Sequence, residues 1–97
     1  MVIIISRYIK PLEEVDALLT EHRRFLDEYY RLGKFICSGP RNPRVGGLII
    51  TDVDHIDEAR KIMDKDPFSI HGAAEYQFIE FTPLKYDERF AGFIKQR

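Results

Sequence analysis

The chain has 97 residues, of which 44% are hydrophobic and 32% are charged, a length and balance typical of one globular domain. Its 15 basic and 16 acidic side chains give a formal net charge of −1, which offers no electrostatic reason to expect a nucleic-acid or membrane partner. Cys37 is the only cysteine, so no internal disulfide can form, and no apolar stretch approaches the roughly 20 residues that cross a bilayer. We therefore expect a cytoplasmic protein.

The hydrophobic pattern predicts six regular elements in the order β-α-β-β-α-β. Runs of β-branched residues predict the strands, whereas apolar residues spaced by three and four predict the helices. The predicted elements are strands over Val2–Ile9, Lys34–Ser38, Arg44–Thr51 and Ala74–Thr82, a helix from Leu12 that stops at Gly33, and a helix capped by Asp52 or Asp54 that ends near Asp66. This order is that of a ferredoxin-like α+β fold, in which both helices cover one face of an antiparallel sheet.

Side-chain alternation along the first strand predicts that both sheet faces are covered. Val2 and Ile4 point to one face, whereas Ile3, Ile5 and Ile9 point to the other, and all five are apolar. A solvated sheet face carries polar residues, and the two helices cover only one face. A second copy of the same sheet is the simplest cover for the other face, so we predict a homodimer through the sheet faces. Edge effects or the C-terminal tail are the alternative cover.

His22 lies on the apolar stripe of the first predicted helix, one turn after Leu18 and Leu19 and one turn before Leu26. This spacing directs an imidazole towards the sheet, where its two nitrogens need hydrogen-bond partners. Two interpretations remain open: a core histidine bonded to a backbone carbonyl, or a functional base.

Asp66-Pro67-Phe68 places a carboxylate where the second helix ends. The fixed φ of Pro67 and an aromatic anchor at Phe68 are suited to hold this acid in one position. A solvated acid or an ordinary turn residue gives the same pattern, so the motif alone does not select a function.

Ser38-Gly39-Pro40 follows the second strand and leads into a loop with Arg41 and Arg44. A hydroxyl, backbone N–H groups and two guanidinium groups suit a ligand that carries a carboxylate. We therefore predict Ser38, Arg41 and Arg44 as substrate-binding residues, with His71 as a second titrating group near the site. A surface hairpin with solubilising charges and an exposed loop histidine are the alternatives.

The motifs of several other chemistries are missing from the sequence. The three histidines and one cysteine show no metal-ligand spacing, and there is no glycine-rich phosphate loop. Ser38 is not the centre of a nucleophile elbow. Cys37 stands on a predicted strand, and we expect inert packing there. We therefore predict no metal and no cofactor.

In order and spacing, these residues resemble the YCII-related (YciI-like) domain family from Val2 to about Pro83. The matching features are His22, Gly33, Ser38-Gly39-Pro40, Gly46-Gly47, Asp66-Pro67-Phe68 with Gly72, and Phe81-Thr82-Pro83. The resemblance implies a single domain over residues 1–97, with a core of about residues 2–83 and an amphipathic tail over residues 86–97. It also implies a small dimeric α/β barrel, formed by sheets that pack face to face.

What the resemblance implies about activity is a pocket centred on a histidine and an aspartate, so we carry over His22 and Asp66 as the candidate catalytic pair. Some relatives act as dehydrochlorinases in the breakdown of chlorinated aromatic compounds, and many others have no known reaction. Ser69-Ile70-His71 and the tail depart from the family pattern, which leaves the substrate open.

Three functions follow from these residues. In the first, a dehydrochlorinase-like lyase or a hydrolase uses His22 and Asp66 for general acid–base chemistry on a small anionic organic substrate. Elimination, isomerisation and hydrolysis all begin with such a proton transfer. In the second, the same pocket belongs to a non-catalytic small-molecule-binding or accessory dimer. In the third, His22 is only a satisfied core group of a dimer.

Overall fold

The structure is a computed structural model that describes residues 1–95. Within them, four strands are formed by Val2–Tyr8 (β1), Phe35–Pro40 (β2), Gly47–Thr51 (β3) and Ala74–Glu80 (β4). The α-helices are Leu12–Ala17 (α1), Leu19–Arg31 (α2), Ile56–Met63 (α3) and Pro67–Ile70 (α4). The predicted tail contains a 3₁₀ helix over Glu88–Phe93, and its residues 96 and 97 lie outside the described part of the chain.

The sheet is antiparallel throughout, with the strand order β2-β3-β1-β4. Ile4 of β1 pairs with Ile49 of β3 and with Phe78 of β4, so these three side chains share one face. The predicted ferredoxin-like α+β arrangement is therefore confirmed.

The main hydrophobic core lies between this face and the helices. Val2 and Ile4 are 0% and 1% exposed, and Ala59, Ile62 and Met63 of α3 pack in the same cluster. Burial of one such large aliphatic side chain contributes about 1.5–3 kcal/mol, so this cluster holds the helices to the sheet. Three partly buried side chains of α2 extend it: Phe25, Leu26 and Tyr29.

The other face of the sheet carries an apolar patch, here called the open-face patch, that consists of Ile3, Ile5, Leu48, Ile50 and Ile79. The strand register places these residues next to each other across β3, β1 and β4. Leu48 and Ile79 remain 36% and 40% exposed. The predicted division of β1 into two apolar faces is confirmed for residues 2 to 5.

The first predicted helix is interrupted at Leu18, which separates α1 from α2. Leu18 has φ −98° and ψ −4°, and its N–H donates to the carbonyl of Val15 three residues back. Val15 is buried in a second cluster, against which Leu18 and Leu19 pack. The segment contains no glycine or proline, so its sequence gave no sign of this break. At the far end, Gly33 follows α2 with φ 74°, as expected for a glycine stop.

The predicted aspartate cap of the second helix is wrong. The helix α3 begins at Ile56 after His55, and no side chain of its own N-cap residue bonds to it. Instead, the N–H of Ile56 donates to Oε1 of Glu80 on β4 at 2.9 Å. This carboxylate satisfies a free helix donor from a distant strand, which a local cap signal does not predict.

The strand ends also differ from prediction where backbones approach closely. β3 begins at Gly47 and not at Arg44, because residues 42–45 belong to the bent loop before it. Gly46 passes so near β1 that a Cβ there would lie 1.8 Å from the backbone oxygen of Ser6. The predicted close approach at this glycine pair is confirmed. β1 ends at Tyr8, so Ile9 lies outside the strand and is 49% exposed.

Candidate functional site

A cavity of about 560 Å³ lies between the helix side of the sheet and α2. Its apolar wall is formed by Ile4, Leu19, Leu26, Ile49, Met63 and Phe68. Residues from all four strands contribute to the lining, as do residues that belong to or cap all four α-helices of residues 1–95. A cavity of this size, mostly apolar with a few polar groups, is suited to a small organic molecule.

His22 and Asp66 meet inside this cavity. Nδ1 of His22 lies 2.8 Å from Oδ1 of Asp66, and the two side chains are 17% and 0% exposed. An ionised carboxylate only accepts hydrogen bonds, so Nδ1 carries the hydrogen and the lone pair of the neutral ring is on Nε2. Within residues 1–95, every buried side-chain nitrogen and oxygen has a hydrogen-bond partner. No hydrogen bond of Nε2 is found in this part of the chain, so Nε2 is not a buried atom and is accessible from the cavity.

The carboxylate of Asp66 accepts two further hydrogen bonds. The N–H of Phe68 donates to Oδ1 at 3.1 Å, and the hydroxyl of Tyr76 donates to Oδ2 at 2.6 Å. Asp66 is the N-cap of α4, and Pro67 at the first helical position favours its extended backbone, with φ −66° and ψ 129°. Three donors thus surround a fully buried carboxylate, so neither of its oxygens is without a hydrogen bond.

Phe68 holds the imidazole from a second direction. Its ring is parallel to that of His22, with 4.0 Å between centroids and 11° between planes. Phe68 itself is 3% exposed and packs edge-on against Tyr8 at 5.9 Å. The imidazole is therefore fixed within its plane by Asp66 and across its plane by Phe68.

Tyr76 remains a neutral donor in this arrangement. Burial, followed by the charge of Asp66 and the hydrogen bond to it, raises the pKa of Tyr76 far above its ordinary value of 10.0. The phenol therefore keeps its proton at neutral pH and donates to the carboxylate. Tyr76 was not among the predicted site residues, although the alternation of β4 puts Ala74, Tyr76 and Phe78 on the core side of the sheet.

Ser38 lines the same cavity because β2 contains a β-bulge. Phe35 pairs with Thr51 and Cys37 with Ile50, so the register shifts between Phe35 and Cys37. The extra residue turns Ser38 to the helix side, where its Oγ lies 2.7 Å from the hydroxyl of Tyr30. The same shift turns Cys37 to the other face, where it is exposed, so the predicted packing of this cysteine is wrong.

Ser6 is a second hydroxyl on the cavity floor that the sequence argument missed. Its Oγ accepts a hydrogen bond from the N–H of Gly47 at 2.8 Å. Among the described residues, the only other bond of this hydroxyl is a long one of 3.4 Å to the carbonyl of Gly47. Strand alternation with Val2 and Ile4 is the signal that places Ser6 on this side.

The cavity mouth carries three charged side chains, here called the rim: Asp16, Arg23 and Arg44. Arg44 bonds to Asp16 and lies over the ring of Tyr8, 5.8 Å from its centroid. The hydrogen bond from Arg44, with a smaller contribution from the charge of Arg23, holds the pKa of Asp16 below its ordinary value. Two cations and one anion leave the rim with an excess positive charge.

Two predicted binding residues do not line the cavity. The guanidinium of Arg41 lies at 3.5 Å from the backbone oxygen of Ser6, outside the lining. His71 is exposed at the end of α4, and its carbonyl accepts a hydrogen bond from Lys10 at 2.8 Å. Of the predicted site residues, the structure thus brings together His22 and Asp66 with two others, Ser38 and Arg44.

Residues 1–95 contain no group of three or more histidine, cysteine, aspartate or glutamate side chains that is placed to hold a metal ion. In the same part of the chain, no helix is both long enough and apolar enough to cross a membrane.

The comparisons with known proteins agree with this fold. Residues 1–82 match the YCII-related domain, whereas no curated protein sequence matches the chain. Among solved structures, the chain is similar to the 5-chloro-2-hydroxyhydroquinone dehydrochlorinase TftG from Burkholderia phenoliruptrix AC1100, in complex with 2,5-dihydroxybenzoquinone. The TM-score is 0.70 at 19% identity, over 92% of this chain and 98% of that one, which establishes a common fold and no common activity. With most of its length matched, the chain belongs to the YCII-related domain family.

Proposed function

We propose that the protein is an enzyme that uses His22 as a general base, oriented by Asp66, on a small organic substrate with an anionic group. The observation that carries this proposal is the 2.8 Å contact between Nδ1 of His22 and a fully buried carboxylate, with Nε2 directed to a cavity. A core histidine bonded to backbone would need no such cavity and no such carboxylate.

The chemistry follows from the protonation states of the pair. Nε2 takes a proton from a C–H or O–H group of the substrate, and the carboxylate of Asp66 stabilises the imidazolium that forms. In an elimination, the electrons of the broken C–H bond form the new π bond, and the leaving group departs with its bonding pair. The imidazolium then returns the proton to the leaving group or to water, which restores the neutral ring.

The shape and charge of the cavity support a small, flat and anionic substrate. Its volume of about 560 Å³ suits a single substituted ring, and the stacked rings of His22 and Phe68 line one side. The excess positive charge of the rim favours one negative group, and Arg44 and Arg23 are its donors. The similar enzyme TftG is named for a chlorinated hydroquinone, which makes aromatic diols and quinones the first substrates to test.

The experiment is a paired measurement of binding and turnover. Binding of 2,5-dihydroxybenzoquinone is followed by calorimetry, and chloride release from 5-chloro-2-hydroxyhydroquinone and from a panel of chlorinated aromatic acids is followed over time. The variant is His22→Gln, with exposed His55→Gln as its matched control. We expect His22→Gln to lower turnover at least 100-fold while ligand still binds, and His55→Gln to behave as wild type. Full turnover in His22→Gln would contradict the proposal, and binding without turnover by the wild type would assign a ligand-binding module.

We also propose that the protein is a homodimer in which two open-face patches pack together. The patch is apolar over three adjacent strands, and an exposed patch of this kind marks an interface. Arg7 and Glu75 form an ion pair at one end of the same face, so a two-fold partner meets both signs of charge. A second copy therefore complements this face in both apolar area and charge.

The dimer is tested by light scattering after gel filtration. Wild type is expected at twice the chain mass, and Ile3→Lys, between Ile50 and Ile79 of the patch, is expected at the mass of one chain. Ile70→Lys is the control, because Ile70 is 65% exposed on α4 and outside the patch. A wild-type protein that stays monomeric at high concentration would refute this assembly.

A further inference from the structure

We propose that Tyr76 is the positioning residue of the candidate pair: its hydroxyl holds the carboxylate of Asp66 so that His22 keeps one ring orientation and a moderated basicity. The inference rests on the proposed function of the same site and adds a role for a residue whose hydroxyl bonds to the carboxylate of Asp66 and not to the imidazole.

The geometry of the carboxylate carries the argument. Oδ1 of Asp66 is shared by the N–H of Phe68 and by Nδ1 of His22, whereas Oδ2 has Tyr76 as its donor at 2.6 Å. Because Asp66 is 0% exposed, the donor to Oδ2 is the phenol and not bulk water. Without the phenol, one oxygen of a buried anion would lack a hydrogen bond, and the carboxylate would be free to rotate about its Cβ–Cγ bond.

The same bond controls how strongly Asp66 attracts the proton on the imidazole. Each donor to a carboxylate withdraws negative charge from it and makes it a weaker acceptor for the next one. Removal of the Tyr76 hydroxyl therefore strengthens the pull of Asp66 on Nδ1–H and favours the imidazolium. An imidazolium has no lone pair on Nε2, so His22 in a protein without the Tyr76 hydroxyl would act as a base only at higher pH.

Other ionisable groups near the ring stay in place when the phenol is removed. They are Tyr8 on β1, Asp16 on α1, Arg23 on α2 and Arg44 before β3. Their charges act equally on wild type and variant, so the difference between the two proteins reports the Tyr76 hydroxyl alone.

The test is an NMR titration of the His22 ring in wild type and in Tyr76→Phe, which needs no substrate. We expect the titration of the variant to move to higher pH by about half a unit or more, with the Nδ1–H tautomer retained. Tyr29→Phe is the matched control, because Tyr29 is a partly buried core tyrosine outside the cavity lining. The ring is kept in both variants, so both are expected to fold.

A second substitution tests the sign of the effect. 3-Fluorotyrosine introduced at position 76 by stop-codon suppression is a more acidic phenol and a stronger donor, so the His22 titration should move to lower pH. Where turnover is found, the acidic limb of the pH–rate profile should move in the same directions. A purely structural tyrosine would lower the melting temperature and leave these titrations unchanged.

The outcomes separate this inference from the proposed function. Equal His22 titrations in wild type and Tyr76→Phe, or an equal shift in Tyr29→Phe, would overturn the role of Tyr76 and leave His22 as a candidate base. A shift in Tyr76→Phe together with full turnover in His22→Gln would support the positioning contact and refute the proposed base.

Discussion

Substitution of Asp66 by asparagine and by alanine separates the shape of this side chain from its charge. Asparagine has the same shape and caps a helix as well as aspartate, so it keeps the bond from the N–H of Phe68. It also leaves an oxygen for Nδ1–H of His22, and its amide can donate to the Tyr76 hydroxyl after that hydroxyl rotates. Alanine removes all three contacts.

The contacts give the magnitude of each loss. For Asp66→Ala, the missing helix cap costs about 1 kcal/mol, and a half-buried Tyr76 hydroxyl without an acceptor costs about 1–3 kcal/mol more. His22 lies beside the open cavity and adds less, so the total is about 2–5 kcal/mol. For Asp66→Asn, three charge-assisted bonds become neutral, but a buried charge also disappears, so we expect a loss of only about 1–2 kcal/mol.

The assay is urea unfolding at pH 7, followed by circular dichroism, with the slope of the transition as a check on two-state behaviour. The difference between the two variants is the informative quantity, because errors of extrapolation to water largely cancel in it. If Asp66→Ala is no less stable than Asp66→Asn, the three donors do not depend on this side chain, and the buried network described above is wrong.

Three further predictions concern pH and packing. Because the pKa of Tyr76 is raised above its unfolded value of 10.0, its contribution to stability is complete below about pH 10 and is lost above that value, where the unfolded chain releases the proton. Tyr76→Phe should therefore lose less melting temperature than wild type between about pH 9 and 11, and an equal fall of melting temperature in the two proteins would contradict the raised pKa. The pKa of Asp16 is lowered by Arg44, so the pair of Asp16 and Arg44 stabilises the fold above the unfolded pKa of about 3.8 and stops doing so as the pH falls below it. The difference in melting temperature between wild type and Asp16→Asn should therefore vanish at pH 2, and also in 1 M salt because both side chains are exposed. Gly46→Ala should lower the free energy of unfolding by about 3 kcal/mol or more, because the added Cβ would overlap the backbone of Ser6. Gly39→Ala is the control in the same urea unfolding assay, and it should have little effect because no atom lies within 4 Å of its added Cβ.

The sequence predicted those parts of the fold in which local pattern and tertiary packing agree. Leu19, His22 and Leu26 share a helical face, and all three line the cavity as their spacing requires. Pro67 restricts the residue before it, and Asp66 accordingly has the extended backbone that makes it a helix cap. Where a single local rule determined the geometry, the prediction was sufficient.

The parts that failed depend on contacts between residues distant in the chain. No pattern in the neighbouring sequence shows that Glu80 accepts the hydrogen bond from the first N–H of α3. Nor does one show that Asp16 pairs with Arg44, which is 28 residues away in the chain. The bulge before Cys37 reverses which face Ser38 occupies, and a one-residue shift of this kind is invisible to a pattern with a period of two. Side-chain alternation along β4 places Tyr76 on the core side of the sheet. That its hydroxyl donates to a carboxylate depends on the position of Asp66, which the alternation does not predict.

The site divides into a fixed part and a variable part for physical reasons. His22 and Asp66 are 44 residues apart in sequence and come from the two helical halves of the chain, so their contact exists only when both halves pack on the same sheet. Buried donors then hold the carboxylate of Asp66 in place, and through it the ring of His22. The rim is different, because its charged side chains are exposed and substitutions there leave the core undisturbed. The proposed function therefore predicts that substitutions in the rim change which anionic group binds, while the contact between His22 and Asp66 beneath it stays the same.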